Sequence, residues 1–174
     1  MVATEPASAV VVRVRVPQPL ARLRTDWDWA ARVGVPAHVT ILFPFLAAGD
    51  LGPVVRRELA AIALAREPFE VRFARVGRFP GVVYLAPEPS APFADLTASV
   101  VARYPDFQPY GGAFDEVIPH LTVVESDDAR LDEIAASVAN VPPFVHRAAS
   151  LEVLVEGGDG RWRTRWRIPL GVRS

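Results

Sequence analysis

The chain of 174 residues has no cysteine and no lysine. The first absence removes disulfides, thiolate nucleophiles and cysteine-ligated metals together, and leaves the redox compartment uninformative. The second removes a lysine Schiff base, a P-loop lysine and a lysyl-nucleotide intermediate, so any chemistry on phosphate falls to histidine, arginine, hydroxyls and backbone groups. Long apolar runs are missing too. Residues 9–16 come nearest, but Arg13 and Arg15 interrupt them, and nothing approaches the ~18 to 20 apolar residues of a membrane span. No leader or anchor is apparent, so the expected location is the cytoplasm. A net charge of −1 gives no global attraction to nucleic acid, and an RNA partner would need a local patch. The hydrophobic fraction of 51% is enough for a core, and the length fits one domain.

Histidine is scarce as well, with three in the chain, and two of them stand in the same phrase. His38-Val39-Thr40-Ile41 and His120-Leu121-Thr122-Val123 each alternate polar with apolar residues. In an extended strand such alternation puts the histidine and its threonine on one face and the two apolar side chains on the other. With residue types used about evenly, a threonine falls at a chosen position roughly one time in twenty, so two matches among three histidines are not expected by accident. His146 matches neither phrase and reads as a surface histidine.

The elements follow from periodicity. Residues 9–16 are β-branched and read as a strand. Residues 19–33 carry Leu20, Leu23, Trp27 and Ala31 at helical spacing and are closed by Gly34; Trp29 lies off that stripe and reads as a half-buried surface aromatic, with a ligand contact as the alternative. The first motif is a short strand within 35–45. Asp50 and Pro53 open a helix with Leu51, Val54, Val55, Leu59 and Ile62 inward. Two strands follow around the turn at Pro80-Gly81. Ser90 and Pro92 start a helix with Phe93, Leu96, Val100 and Tyr104 on one side. A loop over 105–119, rich in proline, glycine and aromatics, delivers the second motif. Asp127 and Asp128 precede a helix with Leu131, Ile134, Ala135 and Val138 inward, ended by Asn140 and Pro142. The remainder reads as a hairpin across Gly157-Gly158-Asp159-Gly160, and its second strand, from Arg161 to Ile168, alternates so that arginines line one face and Trp162 and Trp166 the other.

After each motif the order is the same: helix, a Pro-Phe dipeptide (Pro68-Phe69 and Pro143-Phe144), strand, turn, strand. The expected fold is α+β, a single domain over 1–174 whose repeat halves span roughly 8–88 and 89–170. These form two pseudo-symmetric lobes, each an antiparallel sheet with helices, flanking a central cleft where the motif strands meet.

Two imidazoles across a cleft suit acid-base catalysis, because an ordinary pKa of about 6.5 lets one ring be neutral while the other is protonated. The hydroxyl beside each ring can donate to an oxygen that gathers charge, and a pair of them matches the two free oxygens of a phosphate diester. The motifs offer no third histidine or nearby carboxylate to complete a metal site. The doubled H-x-T phrases and the repeat around them resemble the two-histidine phosphoesterase superfamily, with its 2′-5′ RNA ligase-like proteins and RNA 2′,3′-cyclic phosphodiesterases. The resemblance implies a metal-independent hydrolase that opens a 2′,3′-cyclic phosphate with His38 and His120 as the catalytic pair and Thr40 and Thr122 holding the phosphate. It implies no cofactor; the partner would be a small cyclic nucleotide or an RNA end with a terminal cyclic phosphate, and the protein a monomer. Phe43, Tyr110 and Phe114 lie beside a motif or in the loop leading to one and are the candidates for base stacking. RNA-ligase-like members often carry an arginine soon after the second motif; here Glu125 follows, which disfavours long RNA. Two alternatives remain: a nucleotide- or phosphometabolite-binding module with weak turnover, and a phosphodiesterase or ligase acting on 2′-5′-linked oligonucleotides.

Overall fold

The computed structural model describes residues 7–127 and 130–171. The first strand, β1 (Ser8–Arg13), is followed by α1 (Gln18–Trp27) and a single turn α2 (Trp29–Arg32). The single helix expected over 19–33 is therefore broken. Asp28 between its two parts has extended φ/ψ of −105° and 111°, and its carboxylate accepts from the Ala30 amide at 3.3 Å. An acceptor side chain that caps a new helix competes with continuation of the old one. The motif strand β2 (His38–Leu42) leads through a short 3₁₀ turn containing Asp50 into α3 (Pro53–Leu64), which starts at the proline.

A hairpin of β3 (Phe69–Phe79) and β4 (Val82–Glu88) comes next, then α4 (Ala91–Arg103), with Phe93, Leu96 and Val100 buried. After the loop come the second motif strand β5 (Leu121–Glu125) and α5 (Leu131–Ala139), whose Ile134 and Val138 are buried. Asp128, expected to precede that helix, lies outside the described residues. The strand expected before the last turn is two strands, β6 (Phe144–Ala148) and β7 (Ser150–Glu156), and β8 (Trp162–Pro169) completes the chain.

Among the described residues all the strand pairings are antiparallel, and the eight strands form one sheet in the order β6-β3-β4-β5-β2-β1-β7-β8. The α+β class and the antiparallel sheet are those expected. Two blocks of four strands are joined where β5 meets β2, through one registered pair, Val39 with Leu121. Each block takes strands from both halves of the sequence: the β3-β4 hairpin lies beside β5, and β7-β8 lies beside β1.

Ala149 alone separates β6 from β7, yet the two stand six places apart in the sheet. Strands spaced about 4.8 Å apart would put them some 29 Å from one another in a flat sheet, far beyond the reach of one residue. The sheet is therefore strongly curled. One side of it packs on the helices in one core, with Val10, Val12, Val39, Ile41, Leu121 and Val123 facing Leu20, Leu59, Phe93, Leu96 and Ile134.

The opposite side carries the polar members of both motifs and a small apolar cluster of Ala9, Val11 and Leu154, with Val35, Phe43 and Trp162 packed on it. The strict alternation expected along β8 is corrected here. The pairing of β7 with β8 skips Arg165, since Leu154 pairs with Thr164 and Val153 with Trp166. One extra residue reverses the faces that follow it. Trp162 consequently packs on the small cluster and Trp166 on the main core.

Candidate active site

The motif strands carry their own explanation. Val39, Ile41, Leu121 and Val123 are each 0–1% exposed in the core, which forces His38, Thr40, His120 and Thr122 to the other face. Antiparallel pairing of Val39 with Leu121 puts His38 across from Thr122, and Thr40 across from His120. Each imidazole thus stands opposite the other motif's hydroxyl, about a local two-fold axis through that pair. The two histidines are diagonal neighbours on one face, a relation that in a regular antiparallel pair spans about 7–8 Å.

Both rings are oriented alike. His38 Nδ1 donates to the Pro36 carbonyl at 2.7 Å, and His120 Nδ1 to the Ile118 carbonyl at 2.7 Å. A carbonyl only accepts, so this bond fixes the proton on Nδ1 of the neutral ring and leaves Nε2 as the lone-pair nitrogen. Nε2 of His38 is 3.1 Å from Thr40 Oγ1. Burial is the main cause lowering the His38 pKa, to about 4; the charges of Arg24, His120 and Arg13 push the same way, against the Pro36 carbonyl. Burial lowers His120 as well, against its bond to Ile118. That the charge of one ring is felt at the other places the two within one electrostatic environment.

Tyr110 ties the motifs together. Its ring stacks on His120 at 6.3 Å and 23°, while its hydroxyl interacts with that of Thr40, which opposes the rise of its pKa. Burial, then the charge of Glu125, raises its pKa. The Tyr110 backbone has φ 52° and ψ 33°, left-handed values that a tyrosine adopts at a cost of about 1–2 kcal/mol. Its amide donates to the Phe43 carbonyl at 2.6 Å, and Gly111 and Gly112, both at positive φ, complete the turn. A strained residue whose side chain joins two motifs is characteristic of functional sites.

Of the other aromatics expected to stack on a base, Phe114 is 63% exposed and meets Tyr110 edge-on at 5.8 Å. It lines a cavity of about 310 Å³ that also touches Thr40, Thr97, Gln108 and Val117. Phe43 instead packs edge-on against Trp162 at 6.1 Å and meets the site through its carbonyl. His146 is not part of the site; its Nδ1 accepts from the Arg15 amide at 3.3 Å.

Two aromatics not singled out in the sequence also flank His120. Phe79 and Tyr84 stack on each other at 4.5 Å and meet the imidazole edge-on at 5.1 and 5.4 Å. Tyr84 is the register partner of Thr122, so the signal lay in a strand pairing that periodicity does not reveal. Glu125 lies beyond Thr122, at the His38 end. Burial raises its pKa, as do the charges of Asp28 and Asp127, while the nearby Trp29 side chain opposes them. Trp29, expected as a surface aromatic, is 55% exposed.

A curled antiparallel sheet presenting two symmetry-related His-x-Thr strands defines a two-histidine protein. The profile of the 2′-5′ RNA ligase superfamily matches residues 9–160, and the chain belongs to that family of two-histidine phosphoesterases and ligases. Its fold is shared by TT0787 of Thermus thermophilus, at 16% identity and TM-score 0.63, covering 97% of this chain and 100% of that one. Escherichia coli LigT complexed with 3′-AMP is similar at 15% identity and TM-score 0.56, covering 97% and 100%. LigT complexed with NADP+ gives 16% and 0.55, covering 98% and 100%. No curated protein matches the chain. No helix among the described residues is long and apolar enough to cross a membrane.

Proposed function

We propose that this protein is a phosphoesterase that opens a 2′,3′-cyclic phosphodiester by two-histidine acid-base catalysis without a metal. The observation that carries the reading is the matched pair of rings on paired strands, each held through Nδ1 to a carbonyl two residues before it, with Nε2 of His38 on the hydroxyl of its own motif's Thr40. One imidazole takes a proton from water as its oxygen bonds to phosphorus. The phosphorus bond to the ribose 3′ oxygen breaks, and the other imidazole gives that oxygen its proton. The product is a 2′-phosphate, and the free oxygens of the phosphate are held by the Thr40 and Thr122 hydroxyls.

The pKa directions add a condition. Both rings are lowered, so near pH 7 the free protein holds both neutral, whereas the reaction needs one protonated. An anionic phosphate between them favours the charged form, so the proton is acquired with the substrate. The cavity beside Thr40, with exposed Phe114 on its wall, is suited to the nucleobase. Neighbours crystallised with 3′-AMP and NADP+ support a nucleotide as the class of ligand. The test is a panel of 2′,3′-cyclic nucleotides and linear 2′-5′-linked dinucleotides, assayed with a chelator present. Hydrolysis of the cyclic substrates to 2′-phosphates is expected; tight nucleotide binding with no product after long incubation would replace the reading with a binding module.

A further inference from the structure

Beside the His38 end of the motif strands lies a second cavity, of about 520 Å³, whose wall includes Arg13, Arg15, Arg24 and Arg167. The four cations come from β1 and the segment after it, α1 and β8, and are brought together only by the fold. Two carboxylates answer them. Glu152, 1% exposed, accepts from Arg13 Nε at 3.0 Å and from Arg167 Nε at 2.8 Å. Asp28 pairs with Arg24 at 2.8 Å. The cavity therefore keeps a positive excess.

Arg24 is itself 7% exposed, and its Nε is a buried donor with no acceptor. The Arg15 side chain is exposed and pairs with no carboxylate among the described residues.

The place of this cavity relative to the site is fixed by register. Arg13 is the β1 partner of His38, and Pro36, whose carbonyl holds the His38 ring, belongs to the same wall. We propose that this cavity is a subsite for a second phosphate of the substrate, carried on the 5′ oxygen of the nucleotide whose cyclic phosphate lies between the histidines. The inference rests on the activity proposed above. A 5′-phosphomonoester and the diester to a preceding nucleotide share this chemistry. Glu125 and Asp28 stand at the same end of the cleft, on the β5 side, so the surface accepts one further phosphate and disfavours a long run of them.

Three cyclic substrates separate the outcomes: a nucleoside 2′,3′-cyclic phosphate with a free 5′ hydroxyl, the same compound with a 5′-phosphate, and a dinucleotide ending in the cyclic phosphate. The phosphate-bearing compounds are expected to have kcat/KM about tenfold above the 5′-hydroxyl compound, with most of the gain in KM and the advantage shrinking as salt rises. In Arg15→Gln/Arg167→Gln, both changes being at exposed side chains, the ratio should fall towards one. A ratio near one in the unsubstituted protein, or one that the double substitution leaves intact, overturns the proposal. Calorimetry with a nucleoside 2′-phosphate and a nucleoside 2′,5′-bisphosphate reads the subsite independently of turnover. Tighter binding of the bisphosphate that the double variant loses would support the subsite even if every cyclic compound were left uncleaved. Equal binding of the two would contradict it.

Discussion

His38 and His120 are chemically alike but electrically unequal. Burial is the main cause at both rings, and at His38, which is lowered to about 4, the charges of Arg24, His120 and Arg13 add to it. Because the free protein holds both rings neutral, the alkaline limb of kcat/KM is expected below the ordinary histidine value of about 6.5. That limb reports the free protein, while the limb of kcat reports the complex and should lie at higher pH, since a bound anion raises the ring that must donate. Superimposed limbs in the two profiles would contradict this. The same shift bears on stability. Between about 6.5 and 4 the unfolded chain binds a proton at residue 38 that the folded chain refuses, so stability rises with pH through that window and is lost on acidification. The effect amounts to at most about 3–4 kcal/mol. Urea midpoints at pH 7 and 4.5 should differ less in His38→Gln than in the parent; an equal drop in both would show that the ring does not titrate in this way.

Among the elements, the β3-β4 hairpin reaches the site without contributing a motif. Gly77 is the register partner of Tyr84, and a Cβ there would collide with the tyrosine ring. Gly77→Ala is therefore expected to displace Tyr84 from His120, destabilising by about 1–3 kcal/mol as overpacking does and lowering kcat although residue 77 touches no substrate. Unchanged stability and kcat would remove Tyr84 from the account. In the loop before β5, Tyr110→Phe keeps the ring on His120 but removes the hydroxyl that interacts with Thr40; a loss of up to about tenfold in kcat is expected with little change in the thermal midpoint, and an unchanged kcat would remove that hydroxyl from the site. Periodicity revealed the motif strands, the helices over 53–64 and 91–103, and the β3-β4 hairpin, because each follows from local alternation or spacing. It did not reveal Tyr84 or Phe79 beside His120, since that depends on β4 pairing with a strand some forty residues further on. The helix break at Asp28 and the bulge at Arg165 were hidden for a related reason: one side-chain cap and one extra residue redirect a segment without altering its composition.

The whole molecule assembles its site from strands that are distant in sequence. Each four-strand block mixes the two halves of the chain, so neither residues 8–88 nor 89–170 can complete the sheet that holds its own motif. Expressed separately, each half is expected to unfold without a cooperative transition, and mixing the two should restore one; a half that folds alone would mean that the repeat is also a folding unit. The central claim is that both histidines serve one phosphate. The most direct measurement is turnover of a 2′,3′-cyclic nucleotide, in chelator, by the parent protein, His38→Ala, His120→Ala and the double variant, with the fold of each verified. Each single substitution should cost about 10² to 10⁴ in kcat, and the double little more than either, because the two groups act as a unit. Undiminished turnover in either single variant, or losses in the two that simply multiply, would contradict it.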